Sequence, residues 1–231
     1  MHGVNPTRKL DLSSGQQLLV QGTPFLTIQG EGPHAGLPAV FIRLWGCHLK
    51  CHFCDTDFES DPRATDIRTL ADACRDTDLI VLTGGEPMRQ HITPLVKLLL
   101  ARSHHVQVET AGSFWWQTLS NASTFLEFVV SPKTSHVHDE IANRAIAWKY
   151  IVSAHDERGL DGLPIADTQG TGVARALAQP PANFPRCNVY LQPMDEADEH
   201  LNEANAKLCV QLAQEYGYRV SIQQHKVLGL P

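Results

Sequence analysis

Apolar runs that each end in a polar or glycine-rich motif recur along the chain, and this alternation restricts the fold more than any other feature. Residues 38–44, 79–82, 106–110, 125–130, 147–152, 188–191 and 218–222 read as strands. Helical spacing lies between most of them. Ile67, Leu70, Ala71 and Cys74 follow a plausible Asp66 N-cap, and Leu95, Leu98 and Leu99 form one face of a helix starting near Ile92. Shorter helices are expected over 114–119 and 140–145, and the longest over 196–216. Strands that alternate with helices imply a parallel sheet under helical cover. Six or seven strands are too few for a closed eight-stranded barrel. The expected fold is therefore α/β, a partial (open) TIM-like barrel of about six parallel strands with incomplete helical cover. Polar motifs stand just after strand ends, at 47–56, 83–87, 109–110, 131–133 and 192–195. Loops after successive parallel strands converge on one rim, so a single pocket is expected there.

The 231 residues suit one domain with a full core. Residues 1–16 are polar, broken at Ser13, Ser14 and Gly15, and read as an extension outside a core domain over 17–231. The stretch 155–186 is rich in Gly, Pro, Asp and Ala, and a loop this long is either functional or a mobile insertion. A net charge of −6 argues against broad nucleic-acid binding. No apolar run reaches the length of a membrane span, and no basic-then-apolar leader opens the chain. Six cysteines, three of them clustered, do not make a disulfide framework and point to a reducing, cytoplasmic setting.

Cys47, Cys51 and Cys54 lie within eight residues, so one loop can aim three thiolates at one centre. A structural zinc site takes four ligands, usually from two knuckles. Here there is one knuckle with three sulfurs. A cubane iron–sulfur cluster held this way keeps one iron free for a substrate or cofactor. Zinc and structural or redox cysteines are the competing readings. Other residues admit bland readings beside functional ones. Gln29, Gly30 and Glu31 could form a plain turn or let backbone approach a ligand. Arg43 is the one charge in a strong strand, near its mouth, and either snorkels to solvent or serves the pocket. Thr56 could simply cap a turn, and His225 could be a surface histidine.

The three cysteines, with Phe53 before the third, resemble the radical S-adenosylmethionine (SAM) signature. Added to them, in order, are Gln29–Gly32, Asp55 and Thr56, the Thr83-Gly84-Gly85-Glu86-Pro87 turn, Glu109 and Thr110, 131–133, 192–195 and the tail 224–231. Together these resemble the 7-carboxy-7-deazaguanine synthase family, from about residue 18 onward. Thr23 and Pro24 depart from the family pattern, and the 155–186 loop is longer than typical.

The resemblance implies a reaction. A reduced [4Fe–4S] cluster on Cys47, Cys51 and Cys54 cleaves SAM to a 5′-deoxyadenosyl radical. That radical takes a hydrogen from C6 of 6-carboxy-5,6,7,8-tetrahydropterin, and ring contraction yields 7-carboxy-7-deazaguanine and ammonia. It implies SAM contacts from Phe53, Asp55, Gly85, Ser131, Pro132, Lys133, Gln192, Pro193, Met194 and Asp195. It implies Mg²⁺ on Thr56. It implies substrate contacts from Ile28, Gln29, Gly30, Glu31, Arg43, Thr83, His225 and Pro231, the last through its carboxylate. Arg43 suits the substrate carboxylate because its planar fork bonds bidentately, and Mg²⁺ keeps waters and needs few protein ligands. Glu109 and Lys149 are further rim candidates. A homodimer and a flavodoxin-type electron donor are the family expectation, with no nucleic acid and no membrane as partners. Two rivals remain: a glycyl-radical activating enzyme, which shares the cysteine and Gly-Gly-Glu-Pro motifs, and an electron carrier or zinc module.

Overall fold

The computed structural model describes residues 6–54, 56, 62–170 and 175–231. Its centre is a ten-stranded sheet. Seven strands run parallel in the order β10-β9-β8-β7-β6-β5-β3: β3 (Pro38–Leu44), β5 (Leu79–Gly84), β6 (His105–Thr110), β7 (Leu126–Val130), β8 (Ala145–Val152), β9 (Val189–Pro193) and β10 (Arg219–Val220). Three short antiparallel strands finish the β3 edge. β2 (Phe25–Ile28) and β1 (Gln17–Gln21) both pair with β3, and β4 (Pro62–Asp66) pairs with β1. Among the described residues β4 and β10 do not pair, so the barrel is open, as the strand count implied.

Parity along each strand decides what goes where, because successive side chains point to opposite faces. On the outer face Val40, Ile42, Ile80, Leu82, Val106, Val108, Phe128, Trp148, Tyr150 and Leu191 share one core with the helices. That core also takes Ile67 and Leu70 of α1 (Ile67–Asp72), Leu95 and Leu99 of α2 (Thr93–Ala101), Ile141 of α3 (Asp139–Arg144) and Cys209 and Leu212 of α4 (Glu199–Tyr216). On the inner face apolar contact is confined to two small groups. Ala39, Leu79 and Val81 form one, and Val129, Ala147 and Tyr190 the other. The inner positions nearer the strand C-termini are polar: Arg43, Thr83, Glu109, Lys149 and Gln192.

Local chemistry explains the helix ends. The Asp66 carboxylate accepts from Arg68 N at 2.8 Å, as an N-cap should. α4 starts at Glu199, three residues later than its periodicity suggested, because Asp198 caps it by accepting from Leu201 N. It ends at Gly217, whose φ of 77° terminates the helix. The helix expected over 114–119 shrinks to a single 3-10 turn at Gln117–Leu119. There Trp116 is drawn away to donate its ring N–H to Met88 O at 2.9 Å. The last strand is only two residues long, since the chain turns after Ser221 N reaches Leu191 O and forms the short α5 (Gln224–Val227).

Candidate active site

The cysteine loop leaves β3 and is gripped from three sides. Gly85 N donates to Leu44 O at 2.8 Å and Glu86 N to Gly46 O at 3.1 Å, which seats the glycine turn after β5 against the loop's first residues. A Cβ on Gly85 would overlap the Gly46 carbonyl, and one on Gly84, at φ 108°, would overlap the Leu44 backbone. The two glycines are required for the chain's own packing. Thr7 bridges to Cys47, Arg8 N donates to Cys47 O, and Asp11 N donates to Arg89 O, so the leading segment runs along the loop. From the third side comes the 155–186 stretch. Thr168 O accepts from His52 N at 3.1 Å and Gln169 Oε1 from Lys50 N at 2.9 Å. The Thr168 hydroxyl lies 3.1 Å from Cys51 Sγ, and Gln169 Nε2 lies 3.5 Å from it.

Glu86 ties the ends of β5 and β6 together. Its buried carboxylate accepts from Thr110 Oγ1 at 2.6 Å, Met88 N at 3.0 Å and Ala111 N at 2.8 Å. Burial pushes its pKa up despite these donors. Burial, the Glu86 carboxylate and the neighbouring sulfurs push the Cys47 thiol up to about 12, against one hydrogen bond from Leu49 N. Such a thiol gives up its proton to a metal rather than to water.

The three cysteines line one cavity with Phe53, Thr56, Gly85, Ser131 and Lys133, about 810 Å³ of space open to solvent. Their sulfurs are not gathered for a single ion. Thiolates sharing one zinc at about 2.3 Å would stand within about 4 Å of one another. Among the described residues, the one trio of ligand atoms within 4.8 Å of one another is a different one, His34, His105 and Glu127. Three sulfurs around one cavity, not all within 4.8 Å of one another, leave room for a multi-iron cluster. Lys133 Nζ, 2.5 Å from Ser131 Oγ and 5.9 Å from the Phe53 ring centroid, puts a cation beside them. Burial lowers its pKa, opposed by Cys51 and Cys47.

A second, wider cleft of about 1310 Å³ opens beside the first. It is lined by Ile28, Gln29, Glu31, Arg43, Thr83, His225 and Pro231. Thr56, Gly84 and Glu109 line both cavities. At its centre Lys149 bonds Glu31 and, at 2.9 Å, Glu109. Gln29 and Gln107 donate to Glu109 Oε1 at 3.3 and 2.7 Å, and Gln223 to Glu31 Oε1 at 2.9 Å. Burial would neutralise Lys149, but Glu109 and Glu31 outweigh it and hold its pKa above the ordinary lysine value. Burial would likewise raise Glu31, but Lys149 outweighs it and holds the carboxyl below its ordinary range. The Arg43 guanidinium lies over the Phe25 ring, 4.8 Å from its centroid.

Gln192, Pro193, Met194 and Asp195 line a third recess that shares Phe53, Thr56, Ser131 and Lys133 with the first cavity. The Gln192 side-chain oxygen is buried without a hydrogen-bond partner. Asp195 is held at about 2 by the Lys226 ammonium, 3.0 Å away, and by Ala197 N and Asn202. Two of the expected contact residues line none of these spaces. Pro132 is buried, and Gly30 is pressed against His225, leaving no room for a Cβ. Asp55 lies outside the described residues.

Relatives named 7-carboxy-7-deazaguanine synthase match the chain along its length. One from Rhodospirillum rubrum is 40% identical, with all of both chains covered. One from Rickettsia prowazekii is 35% identical over all of this chain and 96% of its own, and one from Caulobacter vibrioides 31% over 90% and 96%. The chain belongs to the 7-carboxy-7-deazaguanine synthase family. No family model matches it. The crystal structure of QueE from Escherichia coli shares the fold, with a TM-score of 0.62 at 23% identity over 90% of this chain and 94% of that one. Membership in the synthase family disfavours the glycyl-radical activase. It equally disfavours the electron carrier and zinc module. No helix among the described residues is long and apolar enough to cross a membrane.

Residue reading undervalued Glu109 and Lys149 and missed Gln223, Thr168 and Gln169. A signal existed for the first pair. Both share strand parity with inner-facing neighbours, Gln107 with Glu109 and Ala147 with Lys149. Thr168 and Gln169 follow β8, so their loop leaves the same rim as the other motifs, but nothing in its composition marks these two residues.

Proposed function

We propose that the protein is a radical SAM lyase that converts 6-carboxy-5,6,7,8-tetrahydropterin to 7-carboxy-7-deazaguanine and ammonia, in queuosine and 7-deazapurine biosynthesis. The observation that carries this reading is the junction at Thr56 and Gly84, where the cysteine cavity meets a polar cleft. A [4Fe–4S] cluster with SAM on its free iron supplies one-electron cleavage and a hydrogen-abstracting group.

The chain's own residues bind, orient and shield. Cys47, Cys51 and Cys54 hold the cluster. Ser131, Lys133, Gln192 and Asp195 offer donors and acceptors to the ribose, adenine and methionine parts of SAM, and the unpartnered Gln192 oxygen suits an amino group. Phe53, Asp55, Gly85, Pro193 and Met194 complete that set, with the buried Pro132 holding Ser131 and Lys133 from behind. Arg43 receives the substrate carboxylate, and Thr56 would offer one oxygen to a Mg²⁺, which would add positive charge beside that carboxylate. Glu31, kept ionised by Lys149, and Gln29 read the amino and amide edge of the pterin. Ile28, Thr83, His225 and Pro231 wall the cleft, and Gly30 lets His225 pack close behind it. A flavodoxin-type electron donor and a homodimer follow the family pattern, while a cytoplasmic location follows from the cysteine usage and a single core domain over 17–231 from length and composition.

Anaerobic incubation of the reconstituted protein with the carboxytetrahydropterin, SAM, Mg²⁺ and a reductant should release the deazaguanine and ammonia in equal amounts. Zinc in place of iron, or SAM cleavage with no pterin conversion, would refute the reading.

A further inference from the structure

His34, His105 and Glu127 meet on the inner side of the barrel, towards the end away from the cysteine loop. His105 opens β6, and Glu127 stands beside Gln107 in the β6–β7 register. His34 closes the 3-10 turn Gly32–His34, directly after Gln29 and Glu31. The two histidine Nε2 atoms and a Glu127 oxygen lie within 4.8 Å of one another. His34 Nε2 is 2.6 Å from Glu127 Oε2, and His105 Nε2 is 2.9 Å from the same oxygen. Only the His34 contact is aligned as a hydrogen bond. His105 Nε2 is buried with no hydrogen-bond partner. The Glu127 oxygen 2.9 Å away is misaligned for a hydrogen bond to it, and the lone pair of one imidazole tautomer is the donor a metal ion takes.

We propose that His34, His105 and Glu127 bind a divalent transition metal of the zinc type, at a site separate from the cysteines. Two imidazoles and one carboxylate make a borderline donor set without thiolate, which suits zinc and leaves its fourth position for water. The three ligands come from three segments that are distant in sequence. A metal there fastens the turn carrying Gln29 and Glu31 to the starts of β6 and β7. Its role is to position the floor of the polar cleft.

The test uses protein carrying its iron–sulfur cluster, equilibrated with Zn²⁺, passed into metal-free buffer and analysed for total metal. One zinc per chain beyond the cluster iron is expected. Glu127→Gln and His105→Ala should each weaken zinc binding at least about tenfold, since even residues supporting a ligand are worth that much. Circular dichroism checks that both variants are folded. Wild-type protein that keeps no zinc, or a folded Glu127→Gln variant that keeps as much as wild type, would overturn the site. Cobalt(II) supplies a second readout on the cluster-loaded protein. The cobalt difference spectrum should show d–d bands without thiolate-to-cobalt charge transfer. Charge-transfer bands would place the ion on the cysteines and refute the assignment.

Discussion

Arg43 projects from the inner face of β3 onto Phe25, and among the described residues its guanidinium has no carboxylate partner. A cation left over in a cleft that already balances Lys149 against two carboxylates is placed for an anionic ligand. Arg43→Gln should raise KM for the carboxytetrahydropterin roughly tenfold to a hundredfold, the worth of about 1.5–3 kcal/mol for hydrogen bonds to a charged group. SAM affinity, measured by equilibrium binding, should not change. A parallel loss of SAM binding would show that Arg43 supports the whole rim. Gly85 poses the opposite case, a residue required for what it lacks. Gly85→Ala should separate the glycine turn from Gly46, cost about 1–3 kcal/mol by overpacking and lower the iron content on reconstitution. Gly217→Ala is the control. It meets nothing within 4 Å, so it should cost only about 1 kcal/mol for its left-handed backbone and leave iron loading intact.

At the scale of elements, the 155–186 loop changes most in meaning. It gives the Cys51 sulfur two polar neighbours, Thr168 Oγ1 and Gln169 Nε2. Hydrogen bonds to a cluster sulfur stabilise the reduced, more negative state. Thr168→Val should therefore make the cluster potential more negative, read by redox titration followed by EPR, with the signal still SAM-responsive. An unchanged potential would mean that the hydroxyl is satisfied by Lys133 O, 3.3 Å away. The strands were easier to read than this loop. The apolar part of β5 is legible because both faces are buried and the run is uninterrupted, and β3 because its apolar run is broken only by Arg43. The antiparallel β1, β2 and β4 were not assigned as strands, since their pairing depends on a long-range partner at the β3 edge. The cysteine, glycine and Gln192–Asp195 motifs were legible because each follows a strand end. The Thr168 and Gln223 contacts were not, because a loop's path across a rim leaves no periodic trace.

At the scale of the whole molecule, the Glu31–Lys149–Glu109 group links the turn after β2, β6 and β8 in the middle of the open barrel. Lys149 is 6% exposed, so its removal leaves two carboxylates facing each other out of water. Breaking a buried pair this way costs about 3–5 kcal/mol, and Lys149→Met should lower the urea midpoint accordingly. The pH dependence separates lost charge from lost packing. In the wild type Glu31 is held below its ordinary 4.5, so its contribution is present above pH 4.5 and fades as pH falls through the folded value. Lys149 is held above its ordinary 10.5, so its contribution is present below pH 10.5 and fades as pH rises through the folded value. The contribution of this pair should therefore fall on both sides of a neutral plateau. In Lys149→Met Glu31 is buried without its cation, and its pKa moves up instead of down. Relative to the wild type, the variant should gain stability on mild acidification. Urea titrations of both proteins from pH 4 to 7 check this. Parallel slopes would show that the lysine acts through its bulk and not through its charge.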